Sequence, residues 1–83
     1  MFYHGKGVAQ SYAEAVQWFR LAAAQGDADA LFNLGVCHVN GDGVPQDYHE
    51  ALRLYKRAAA KGHPGAAGAV DELEAHLAAQ RSR

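Results

Sequence analysis

Eighty-three residues, 8.9 kDa, leave room for one small domain, since a chain this size buries only roughly 60% of its extendable surface, and a two-domain enzyme is excluded. Eighteen residues are Ala and six are Val, while Ile and Thr are absent, so the composition supplies helix formers and lacks the β-branched residues of a sheet. Eight Lys and Arg against nine Asp and Glu give a net charge of -1, too weak a field to recruit nucleic acid or an acidic membrane.

The elements follow an internal period. Shifting the chain by 36 positions aligns twelve identities, from Gly5 with Gly41 through Tyr12 with Tyr48 and Ala22 to Ala24 with Ala58 to Ala60, as far as Ala30 with Ala66. A period of this length with helical content marks stacked helix pairs, each too small to bury its own apolar face. The chain opens with Phe2 and Tyr3 and a Gly5-Lys6-Gly7-Val8 turn, whose glycines allow a reversal and whose Val anchors the junction. Ser11 and Glu14 form a capping-box pattern, which predicts a first helix from Ser11 to Gln25 stopped by Gly26. Asp27 then caps a helix of a second kind over Ala28 to Asn40, followed by the equivalent Gly41-Asp42-Gly43-Val44 turn. Asp47 and Glu50 repeat the capping box and predict a helix over Asp47 to Lys61, stopped by Gly62 and Pro64. A fourth helix is expected from Gly65 to about Gln80, giving the order B-A-B-A, where A denotes the Ala28 to Asn40 kind.

The run Ala30, Leu34-Gly35, Gly41-Asp42-Gly43-Val44, Asp47-Tyr48, Ala51, Leu54-Tyr55, Ala58-Ala59 and Gly62 resembles the Sel-1-like repeat, a relative of the tetratricopeptide repeat. The earlier copy, from Phe2-Tyr3-His4-Gly5 through Trp18-Phe19 to Gly26, is similar to the same pattern entered halfway. The resemblance implies a right-handed all-α solenoid of antiparallel helix pairs that works as a non-enzymatic adaptor in signalling, secretion or quality-control complexes. It divides the chain into a partial repeat (1–26), a complete repeat (27–62) and a C-terminal capping helix and tail (63–83). The chain departs from the family in having His38 where an aromatic residue is usual, and Asp71 where the other copy has Gly35. The fourth helix reads as a cap, with Val70, Leu73 and Leu77 inward and Asp71, Glu72, Glu74, Gln80, Arg81 and Arg83 outward.

Helical spacing places Ala30, Leu31, Leu34, Cys37 and His38 on the core arc of the A-type helix, with Gly35 at its edge. Asp29, Asn33, Val36 and Asn40 form a second stripe, and because A-type helices line the concave side of helix-pair solenoids, these four are the candidate residues for binding a protein or peptide. The first B-type helix is more apolar than one neighbour can cover, so Phe2, Tyr3 and Trp18 are the candidate edge for a homodimer, with packing inside a longer solenoid or local collapse of residues 1 to 4 over Trp18 as the alternatives.

Five histidines show no metal-ligand spacing, and adjacent Cys37 and His38 point ~100° apart on a helix, so neither a metal site, a catalytic residue nor a cofactor is expected. A lone Cys37 makes no intrachain disulfide, the longest apolar run is four residues, and no signal-peptide core is seen, which together predict a cytoplasmic chain without membrane association. The alternative is a small ligand-binding or hydrolase-like protein related to the cysteine-rich, penicillin-binding branch of the family. That branch pairs cysteines in every repeat, and Cys37 stands alone here. Arg53, Lys56, Arg57 and Lys61 form a basic stripe that reads as a solvated convex face, with an acidic protein patch as the next reading and nucleic acid a distant third.

Overall fold

The computed structural model describes the backbone of residues 8–81 and the side chains of residues 12–80. Among these, four helices follow in order: α1 (Val8–Ala24), α2 (Ala28–Asn40), α3 (Tyr48–Ala60) and α4 (Ala66–Arg81). The fold is all-α. Each helix packs on its neighbours in the chain, α2 and α3 most extensively, in a slab of 39 × 29 × 17 Å.

Local chemistry sets most of the boundaries. Asp27 stands in extended conformation before α2, and its Oδ1 accepts hydrogen bonds from the backbone N–H of Asp29 (2.9 Å) and Ala30 (3.2 Å). Asp47 does the same for α3, accepting from the Glu50 N–H at 3.1 Å. The reciprocal arm of the capping box is not made: the Glu50 carboxylate turns to Arg53, and the Asp47 N–H donates instead to the His38 carbonyl at 2.9 Å. At the other ends the two B-type helices stop alike. Gly26 at φ +88° and Gly62 at φ +94° each follow a helix whose last carbonyls are satisfied by backward bonds, Asp27 N–H to Ala22 and His63 N–H to Ala58, both 3.1 Å. These pairs are 36 residues apart, so the sequence repeat is a repeat of hydrogen bonding.

The start of α1 corrects the sequence expectation. The helix begins at Val8, which puts Ser11 inside it and makes Val8 a helical residue, whereas Val44 is a buried anchor in the turn, 8% exposed. Pro45 accounts for the difference, because a proline disfavours the α region for the residue before it, and the first copy has Ala9 at that position.

Two clusters of buried side chains hold the slab. One joins Val16 and Ala23 of α1 to Leu31, Leu34 and Cys37 of α2 and Leu54 and Ala58 of α3. The other joins Ala51 and Tyr55 of α3 to Leu73 of α4, with Phe32, Val36 and Val39 of α2 against them. Leu73 is buried and Val70 and Leu77 half-buried on the inward side of α4, while Asp71, Glu72, Glu74 and Gln80 are exposed. His38 departs from its expected core position: it is half-buried, and its Nδ1 lies 3.2 Å from the Pro45 carbonyl oxygen, tying α2 to the turn that follows.

Candidate functional site

Two hollows open where a B-type helix meets the following A-type helix. The first, about 330 Å³, lies between α1 and α2 and takes Tyr12 and Phe19 from one wall and Asn33, Val36 and Asn40 from the other. The second, about 250 Å³, lies between α3 and α4 and takes Tyr48 and Tyr55 from one wall and Ala69, Glu72 and His76 from the other, with Val39 of α2 closing it. The two are the same place in successive repeats. Adding 36 to Tyr12, Phe19, Asn33, Val36 and Asn40 gives Tyr48, Tyr55, Ala69, Glu72 and His76.

Their chemistry differs. The first segment offers amide donors and acceptors from Asn33 and Asn40, with Asp42 at its rim. The second is more aromatic, with the Tyr48 ring edge-on to the His76 imidazole at 5.0 Å. Tyr55 forms its floor, buried, with its centroid 5.3 Å from that of Phe32, and burial raises the pKa of its hydroxyl.

Three of the four stripe residues, Asn33, Val36 and Asn40, therefore share the first segment. Asp29 does not join them. Its Oδ1 lies 3.2 Å from Nε2 of His63, whose ring stacks on Phe32 with centroids 4.4 Å apart. The His63 Nδ1 accepts from the Gly65 N–H at 3.0 Å, so the ring proton sits on Nε2 and is donated to Asp29. Asp29 is thereby used to fasten the turn before α4. Sequence reasoning missed the second segment, and the signal for it was available: the 36-residue shift applied to the stripe itself. Of the candidate edge, Phe2 and Tyr3 lie outside the described residues, and Trp18 is 70% exposed on α1, beside Leu21 at 61%.

Cys37 is buried, and its pKa is raised, first by burial and then by the Asp42 carboxylate, the opposite of the tuning that a nucleophilic thiolate needs. Among the described residues no group of three His, Cys, Asp or Glu could hold a metal ion, and no helix is long and apolar enough to cross a membrane.

Antiparallel helices recurring at a fixed period, with a hollow at each B-to-A junction, define an α-solenoid module. A Sel1 repeat family model matches residues 1–27 and again residues 28–63, and the chain belongs to the Sel1 repeat family. Sel1 repeats are typically protein–protein interaction modules. Comparison with curated proteins and with solved structures gives no match.

Proposed function

We propose that this chain is a non-enzymatic adaptor that binds a peptide or protein segment along its A-type helices, through the groove that begins at Asn33, Val36 and Asn40. The observation that carries the reading is the recurrence of the hollow: a groove that repeats every 36 residues offers successive docking positions to an extended ligand. Asn33 and Asn40 would bond the backbone or polar side chains of that ligand, while the aromatic second segment would take an apolar side chain. The test is capture of partners from the source cell by the chain and by an Asn33→Ala/Asn40→Ala variant of equal helicity. Two lost neutral hydrogen bonds, at about 1 kcal/mol each, should weaken capture by roughly thirtyfold, and undiminished capture removes the groove reading.

A second reading concerns α1. Under the 36-residue shift Trp18 corresponds to Leu54, which is 4% exposed in the core, yet among the described residues nothing comparable covers Trp18. We propose that a second copy packs on the face of α1 that carries Trp18 and Leu21. Sedimentation at micromolar concentration should show a monomer–dimer equilibrium that Trp18→Ala shifts toward monomer. A strictly monomeric chain would exclude it.

A further inference from the structure

The basic stripe of α3 divides in the structure. Lys56 turns to α4, where its Nζ lies 3.3 Å from a Glu74 carboxylate oxygen. Arg53 and Arg57 instead line a separate cleft of about 290 Å³ between α1 and α3, and Arg20 enters the same cleft from α1. Leu34 of α2 lies beneath, with Ala23 and Leu54 beside it, so the cations flank an apolar floor. Ala24, His38 and Glu50 complete the lining.

Arg53 is already matched. Its Nε donates to one Glu50 oxygen at 3.0 Å and its Nη2 to the other, a two-bonded fork on a carboxylate. That pairing lowers the Glu50 pKa, chiefly through the Arg53 hydrogen bond, so Glu50 stays ionised and cancels one positive charge. Arg20 and Arg57 carry no ion pair among the described residues. Two uncompensated guanidinium groups thus stand on opposite walls of one cleft, where an apolar floor strengthens their field.

The repeat does not require them. Under the 36-residue shift Arg53 corresponds to Gln17 and Arg57 to Leu21, while Arg20 corresponds to Lys56, which turns to Glu74 instead, so the grouping of the three is a feature of this junction and not of the helix-pair pattern. We propose that the cleft binds an acidic segment of a partner protein, Arg20 and Arg57 each receiving one carboxylate while the side-chain methylenes of the segment lie over Leu34 and Leu54. Arg20 on α1 and Arg57 on α3 each offer a planar fork to a carboxylate of their own, and Arg53 with Glu50 supplies the pattern of the contact.

Fluorescence anisotropy of the full chain with a short labelled Glu/Asp peptide tests this, with the Gln/Asn version of the peptide as control. Arg20→Gln and Arg57→Gln should each weaken binding by about tenfold. Lys56→Gln and the Asn33→Ala/Asn40→Ala variant should leave it unchanged, which separates this cleft from the A-helix groove. Both arginines are exposed, so circular dichroism should show intact helices in the variants. Equal binding of the Gln/Asn peptide, no loss in Arg57→Gln, or binding of a phosphoserine peptide in place of the Glu/Asp one would overturn the proposal.

Discussion

Gly35 sits in the interior of α2, where alanine would ordinarily be the better helix former by about 1 kcal/mol. A Cβ there would stand 2.5 Å from Cε1 and 2.7 Å from Cδ1 of Tyr55, far inside van der Waals contact. The Tyr55 ring cannot yield cheaply, since it is buried at 6% exposure with Phe32 against it. Overpacking therefore outweighs propensity, and Gly35→Ala should destabilise the chain by about 2 kcal/mol. Gly62 supplies the contrast: at φ +94° it is in the left-handed region, but nothing lies within 4 Å of its would-be Cβ, so Gly62→Ala should cost about 1 kcal/mol from backbone strain alone. Urea unfolding of the two variants measures the difference, and a Gly35→Ala midpoint at or above that of Gly62→Ala would show that the ring moves aside.

At the scale of the element, helices whose ends are written in local chemistry were legible. Asp27, Asp47, Gly26 and Gly62 fix boundaries through bonds to residues within five positions, and the sequence reading of α2, α3 and α4 agrees with the structure to within one residue. The start of α1 was misread because Ser11 and Glu14 carry a capping pattern while nothing between Val8 and Ser11 forbids helix. The restraint that matters in the second copy, Pro45, lies upstream of the cap. The placement of the α2 stripe was legible in the same partial way. Helical spacing groups Asn33, Val36 and Asn40, which line one hollow, but the partner of Asp29 is His63, brought to it by the stacking of the next turn on Phe32, and no spacing within α2 encodes that. Arg20 was missed for a related reason, since its companions Arg53 and Arg57 come from another helix.

In the whole molecule stability is arranged in series. α3 belongs to both buried clusters and α2 packs on both, whereas α1 meets only the first, and α4 enters the second with Leu73 and touches the first only through Ala66 at its start. α4 also differs from α2 in carrying Asp71 at the position where Gly35 admits the Tyr55 ring, so that close ring contact has no counterpart on α4 among the described residues. Among the described residues α4 packs chiefly on α3, with Ala66 and Leu73 as its buried side chains, and in helix-pair solenoids a unit with one such neighbour opens on its own. Leu73→Ala should cost about 2 to 3 kcal/mol and be felt locally, with amide hydrogen exchange accelerating throughout 66–81 while α2 keeps its protection. Leu31, fully buried in the first cluster, should behave differently, Leu31→Ala accelerating exchange in α1, α2 and α3 together. Uniform acceleration over all four helices in the Leu73 variant would instead mean a single cooperative unit. Serial stability has a consequence for binding, because Glu72 and His76 ride on α4 whereas Asn33 and Asn40 ride on α2. Loosening α4 should dismantle the second groove segment and spare the first, so a ligand spanning both would lose only the contacts made at its α4 end.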